Sequence, residues 1–168
     1  MGHKRDITQA IISPNNKLIA SISQADGIIF IWCRSSKKII HRLNFRKNNK
    51  NDGILQFQFS PNSQYLLIAY RDIWRIENGG INMNARIFDV VSGEIVFKEI
   101  LKEKTAEYRI IEKRGYALSD DRAYISFTES SNQIIFGIKT RNLGSFDRQM
   151  GWQYQTEVFD LLTGKTIK

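Results

Sequence analysis

Short apolar runs separated by clusters of turn-forming polar residues recur along this chain. In the first run Ile7, Ala10 and Ile12 supply the apolar positions, and Ser13, Pro14, Asn15 and Asn16 end it. Those four residues favour a tight turn, because proline fixes φ and the others bond their own backbone. Lys17 to Ser23 then alternates about apolar positions, Gln24 to Gly27 makes a second turn, and Ile28 to Cys33 is an apolar run. A run that continuously apolar predicts a strand covered on both faces. Arg34, Ser35 and Ser36 break it, and Lys37 to Phe45 forms a fourth segment whose spaced cations suit a solvated sheet edge. One unit is thus four short strands.

The same punctuation returns downstream. Ile7 to Pro14 (ITQAIISP) is echoed by Ile54 to Pro61 (ILQFQFSP) and more faintly by Lys113 to Asp120 (KRGYALSD). The unit ends correspond as well: Ile31 to Lys37 (IWCRSSK), Ile87 to Glu94 (IFDVVSGE) and Val158 to Lys165 (VFDLLTGK). With Ser13, Ser60 and Ser119 as markers, the spacings are 47 and 59 residues, a period expected of a propeller or solenoid. The units are read as 2–45, 54–101 and 110–168 of one repeat domain. Both prolines, Pro14 and Pro61, occupy the equivalent turn, which supports this register.

On these residues the chain resembles the tryptophan-aspartate (WD) repeat family of β-propellers. Gly2 and His3 stand where that family carries its Gly-His pair, followed at matching offsets by Ile7, Ala10, Ile12, Ser13, Pro14 and the run Leu18 to Ser21. Asp26 lies six residues before Trp32, as the family's turn aspartate does, and Ser21 or Ser23 is the candidate hydroxyl on the second strand. The resemblance implies an all-β fold, a partial propeller of about three four-stranded antiparallel blades with the last one incomplete. It also implies a bracing network, here assigned to His3, Ser23, Asp26 and Trp32. The pattern degenerates after unit one. Cys33 replaces the aspartate of the family's WD pair, whereas Asp89 and Asp160 keep it behind Phe88 and Phe159 in place of tryptophan.

Length changes that picture. Closed propellers contain about four to eight blades. Three units fall short, so the chain is expected to belong to a larger or multi-chain propeller, as a fragment, a split product or an open array completed by another chain, and to be unstable as a lone monomer. The distance from marker serine to third-strand aromatic grows from 19 to 28 to 40 residues, which places insertions at about Arg71 to Asn84 and Glu129 to Gln153. Both connect the second and third strands and should crowd one propeller face. Candidate partner-binding residues there are Arg71, Trp74, Arg75, Met83, Phe136, Arg141, Arg148, Met150 and Trp152. Long loops on a rigid scaffold commonly carry binding, and aromatic and arginine side chains dominate interface energetics. The plainer alternative is that Ile134 to Phe136 extend a β-hairpin and Trp152 starts the third strand.

Charge is concentrated. The net charge is +8, and Arg34, Lys37, Lys38, Arg42, Arg46, Lys47 and Lys50 lie in one stretch without an acid. Such a patch suits RNA phosphates or another anionic partner, and equally a protected outer strand followed by a polar loop. Segment Lys98 to Arg114 reads either as a fourth strand with its loop or as a short helix.

Chemistry is sparse. His3 and His41 are the only histidines and neither has a Cys or His at metal-ligand spacing. Cys33, the lone cysteine, is expected in a buried strand as a small hydrophobe, and it fits a reducing compartment, with the cytoplasm as default. Asp120 and Asp121 fit a turn, and Gly79 and Gly80 lack the lysine and hydroxyl of a phosphate loop. No 18-residue apolar run or signal-peptide core is present, and Asp6 argues against N-myristoylation. No metal, cofactor or catalytic group is expected. The functional expectation is a non-enzymatic scaffold for protein partners within a larger complex. Alternatives are an RNA-contacting component using residues 34–50 and an accessory domain of an enzyme whose catalytic part lies elsewhere.

Overall fold

The computed structural model describes residues 2–45, 54–72, 82–101, 123–141, 152–163 and 165–167. Twelve strands are present: β1 (Gln9–Ile12), β2 (Leu18–Ser23), β3 (Ile28–Cys33), β4 (Ile39–Asn44), β5 (Ile54–Phe59), β6 (Tyr65–Asp72), β7 (Asn82–Asp89), β8 (Ile95–Leu101), β9 (Ala123–Phe127), β10 (Gln133–Arg141), β11 (Trp152–Asp160) and β12 (Thr166–Ile167). They form three four-stranded antiparallel meanders, β1–β4, β5–β8 and β9–β12, and no helix occurs among the described residues. The expected all-β architecture of three four-stranded blades is therefore present, and the fourth strand of the third blade has two residues. Lys98 to Leu101 belong to strand β8, and 102–114 lie outside the described residues.

Alternation decides how the blades stack. In the second blade Phe57, Phe59, Leu66, Ile68, Tyr70, Phe88 and Val90 point one way and pack with Ala20, Ile22, Ile29, Ile31, Leu43 and Phe45 of the first. Leu67, Ala69, Ala85, Ile87 and Phe97 point the other way and pack with Ile125, Phe127, Ile134, Phe159 and Leu161 of the third. Side chains in a strand alternate faces, so every central strand of the second blade must be apolar throughout. The sequence YLLIAY of β6, buried from Leu66 to Tyr70, meets that demand.

Each blade has the same turn between its first two strands. Ser13 N–H donates to Leu18 O and Asn16 N–H to Ser13 O. The pairs Ser60 to Tyr65 with Ser63 to Ser60, and Thr128 to Gln133 with Ser131 to Thr128, repeat the arrangement at 2.8–3.1 Å. Asn16, Ser63 and Ser131 all take φ of 62–63°, the left-handed region a tight turn requires. In the third blade the first strand is therefore β9 and the equivalent turn is Thr128 to Ser131. This corrects the marker Ser119, whose place is taken by Thr128; the unit boundary at 110 and Lys113 to Asp120 lie outside the described residues. Proline marks this turn in the first two blades, but Thr128-Glu129-Ser130-Ser131 builds it from hydroxyls, with Thr128 Oγ1 2.7 Å from Ser130 Oγ.

Neighbouring blades are tied at these turns. Asn15 N–H donates to Ser63 Oγ of the next blade, and Asn62 N–H donates to Ser131 Oγ, both at 3.0 Å. Across from them His41 Nε2 of β4 lies 2.9 Å from Val91 O in the second blade's last turn. Gly93 in that turn has φ +75°, and a Cβ there would come within 2.7 Å of His41 Nδ1. Glycine is required for both reasons.

Candidate functional site

In a meander the connections between first and second and between third and fourth strands share one end, and the hairpins joining second to third strands occupy the other. The two ends of this array differ in chemistry.

At the hairpin end, the first blade has strands of six residues while β6 and β7 have eight and β10 and β11 have nine. Part of the added length is strand, and residues 73–81 and 142–151 lie outside the described residues. Arg71 pairs with Met83 and Arg141 pairs with Trp152 near the tips of the two long hairpins. Phe136 sits mid-strand between Glu157 and Ile125. For Ile134 to Phe136 and Trp152 the plainer alternative holds, since they lie on β10 and at the start of β11, and 142–151 lie outside the described residues. The first part of the expected insertion at Glu129 to Gln153 is a turn followed by β10, which stays paired with β11 from Gln133 to Arg141. Trp74, Arg75, Arg148 and Met150 lie outside the described residues.

The first blade carries the bracing network near this end. Ser21 Oγ accepts from Trp32 Nε1–H at 2.9 Å and lies 2.9 Å from His3 Nε2. The indole occupies a lone pair, so Ser21 can donate its hydroxyl proton to His3. His3 Nδ1 faces Asp26 Oδ2 at 3.7 Å without a hydrogen bond, and that carboxylate oxygen accepts from Lys4 N–H and Arg5 N–H. His3 also meets Phe30 edge-on, with ring centroids 4.7 Å apart. The assignment of Ser23 to this network is corrected. Trp32 pairs with Ile19, which makes Ser21 its diagonal neighbour on the same face, and Ser23 lies a further step away. Ser23 Oγ instead accepts from Asp26 N–H at 3.2 Å and holds the turn.

The opposite end gathers cations. Arg34, Lys37 and Lys38 lie exposed in the turn between β3 and β4, and Arg34 N–H donates to Lys17 O. Arg42 lies on β4 with its guanidinium on Asn44 Oδ1, while Arg46, Lys47 and Lys50 lie outside the described residues. Three of the seven expected patch residues are thus brought together, at the end remote from the long hairpins.

Cys33 belongs to this turn, and its expected burial is corrected. The residue closes β3, paired with Leu18, and is only half-buried beside a shallow depression lined by Asn16, Lys17, Leu18, Arg34 and Ser35. It occupies the position of Asp89 and Asp160, whose carboxylates accept two backbone N–H bonds each from their turns. Those bonds, foremost from Ser92 N–H and Thr163 N–H, hold both carboxyls below the usual aspartate value. In the first blade the thiol stands in that position, where its thiolate form can accept from the turn. Its contact with Ser35 Oγ at 3.3 Å, followed by one with Ser36, lowers it from 9.0 to about 7. Thiolate favours alkylation. The expected result is iodoacetamide labelling that rises with a midpoint near pH 7 and moves upward in Ser35→Ala; a midpoint at the ordinary thiol value in the parent protein would contradict the geometry.

Among the described residues no group of three or more His, Cys, Asp or Glu side chains could hold a metal ion, and no helix is long and apolar enough to cross a membrane.

This stacking of four-stranded meanders is the β-propeller fold. Similar solved structures include the WD40 repeats of RRP9, with a TM-score of 0.54 and 14% identity over 100% of this chain and 39% of that one. Another is the hydrazine synthase of Kuenenia stuttgartiensis, at 0.55 and 14% over 95% of this chain and 41% of that one. A third is a 6-phosphogluconolactonase-like protein from Bacteroides fragilis, at 0.51 and 12% over 95% and 36%. The chain spans about two fifths of the length of these propellers. No protein-family model and no curated protein matches the sequence.

Proposed function

We propose that this chain is a WD-repeat-type scaffold that binds a protein partner through the hairpin end of its second and third blades, within a larger complex and without catalysis of its own. The observation that carries this reading is the pair of lengthened hairpins, β6–β7 and β10–β11, projecting from one end of a rigid apolar stack. Arg71, Met83, Arg141 and Trp152 stand near their tips, and arginine with large apolar side chains is what protein interfaces use as anchors. Cytoplasmic residence accompanies this reading, since a chain with one half-exposed thiol suits a reducing compartment.

Affinity capture from cells tests it. The double variant Arg141→Ala/Trp152→Ala should lose a protein retained by the parent chain while keeping its melting temperature. Unchanged capture would refute the hairpin reading. The RNA alternative draws on Lys17, Arg34, Lys37 and Lys38, exposed at the opposite end. It requires single-stranded RNA binding that weakens with salt and is lost in Arg34→Glu/Lys38→Glu, a variant that leaves the hairpins intact.

A further inference from the structure

The turn that joins β3 to β4 in the first blade has the same backbone bonds as its counterpart in the second and a different charge. Cys33 N–H donates to Lys38 O, Lys37 N–H to Cys33 O and Arg34 N–H to Lys17 O. In the second blade Asp89 N–H donates to Glu94 O, Gly93 N–H to Asp89 O and Val90 N–H to Gln64 O, and both sets span 2.8–2.9 Å. Lys17, Arg34, Lys37 and Lys38 therefore stand where the second blade has Gln64, Val90, Gly93 and Glu94, and the Cys33 thiol stands where it has the Asp89 carboxylate. Four cations without an acid thus correspond to two acids without a cation. At the third blade's equivalent positions Asn132, Asp160, Leu161 and Lys165, one acid is matched by one cation. The shared backbone shows that the turn itself does not require the cations. Lys37 even takes φ 57° where the second blade has a glycine at φ 75°, in the region that favours glycine.

All four cationic residues are exposed, and Lys17 and Arg34 border the shallow depression together with the half-buried Leu18 and Cys33. Arg34 Nη1 donates to Asn16 O at 3.4 Å, which holds the guanidinium against the β1–β2 turn beside Lys17. Like charges gathered in this way repel one another, and an anion laid across them relieves the repulsion.

We propose that this end of the first blade docks an acidic peptide segment of a protein partner, its carboxylates lying across Lys17, Arg34, Lys37 and Lys38. Two observations favour a peptide over a nucleic acid strand. No aromatic side chain lines the depression, whereas single-stranded nucleic acid is held by stacking on aromatic rings as well as by cations. The cationic area also ends at the second blade, whose turn carries Asp89 and Glu94 and is tied to the first blade through His41 and Val91 O. A phosphate chain running on across this end would meet like charge, while a short run of Asp or Glu fits within one blade. The site lies at the end opposite the lengthened hairpins, so the proposal goes beyond the hairpin reading and is tested apart from it.

Cys33 reports occupancy, because it borders the same depression. A blocked oligoglutamate peptide should slow iodoacetamide labelling of Cys33 in the parent chain at low salt, with the protection fading as salt rises. The triple variant Lys17→Gln/Lys37→Gly/Lys38→Glu carries the second blade's own residues on a turn with the same backbone bonds, so far-UV circular dichroism should retain the β signal. Its affinity for a fluorescent form of the peptide should fall at least about tenfold. Arg141→Ala/Trp152→Ala should bind that peptide as the parent does, which separates this site from the hairpin end. No protection of Cys33 in the parent, unchanged affinity in the triple variant, or stronger protection by an oligouridylate of equal length would each overturn the proposal.

Discussion

Replacing Phe88 by alanine lowers the stability of the fold by about 3–5 kcal/mol, the range for truncating a large aromatic side chain in a packed core. Phe88 lies on β7, 2% exposed, in the apolar cluster that joins the first and second blades. Two features prevent the site from collapsing around the cavity. β7 is held by β6 on one side and β8 on the other, with a register shift between Ile87 and Phe88 that fixes where the ring enters the joint. The opposite wall includes Ile29 and Ile31, which are fully buried and belong to a different sheet. Val96→Ala serves as the contrast, because Val96 is 42% exposed on the outer strand β8 and its loss should cost under about 1 kcal/mol. Chemical denaturation measures both. A loss below about 1 kcal/mol for Phe88→Ala would mean that the blades are not joined through this cluster. Natural domains are stable by only about 5–15 kcal/mol, so the expected loss is enough to unfold a substantial fraction of the chain at physiological temperature.

The blades themselves were legible in the sequence because each strand carries its own pattern. Ile28 to Cys33 and Tyr65 to Tyr70 are apolar throughout, which a strand covered on both faces demands, and Ser13-Pro14-Asn15 and Ser60-Pro61-Asn62 mark the turns before them. The third blade was misplaced because its turn has the same backbone geometry in a different chemistry. Ser131 reaches φ 62° without a proline nearby, and Thr128 supplies the hydroxyl that Ser13 and Ser60 supply elsewhere. The signal that would have found it is a hydroxyl three residues before a small polar residue, directly ahead of the apolar pair Ile134 and Ile135.

The candidate site was less legible for a related reason. Counting along the chain places Arg71, Phe136 and Trp152 in loops, but it cannot measure strands whose pairing continues past the repeat's usual end. Register is a property of pairs. Arg141 opposite Trp152 follows from β10 and β11 running on together, which neither segment states alone. Similarly, Cys33 lies in a run that reads as core, and only its place at the end of β3 exposes it to Ser35 and Ser36. Along the chain the basic stretch forms one run of cations. The meander divides it, with Arg34, Lys37 and Lys38 at a turn and Arg42 along β4.

Ser21→Ala should cost about 2–4 kcal/mol, on the rule that each buried polar group left without a partner costs about 1–3 kcal/mol. Ser21 is 4% exposed and its oxygen serves two nitrogens, Trp32 Nε1 and His3 Nε2, both at 2.9 Å. Removing it strands His3 Nε2 where water has little access, since the His3 side chain is 3% exposed, and takes the protein acceptor from the half-buried Trp32 indole. Ser23→Ala removes one acceptor for Asp26 N–H at 3.2 Å and should cost about 1 kcal/mol. The order of the two serines is therefore the test, because both lie on β2, on the same face and two residues apart. Ser21→Thr keeps a hydroxyl and should recover most of the loss. The Trp32 indole N–H resonance supplies a local readout, expected to move in Ser21→Ala and to stay in place in Ser23→Ala. If Ser23→Ala proved the more damaging, the hydroxyl relay from Trp32 to His3 would run through the other serine, and the diagonal placement set by the pairing of Ile19 with Trp32 would be wrong.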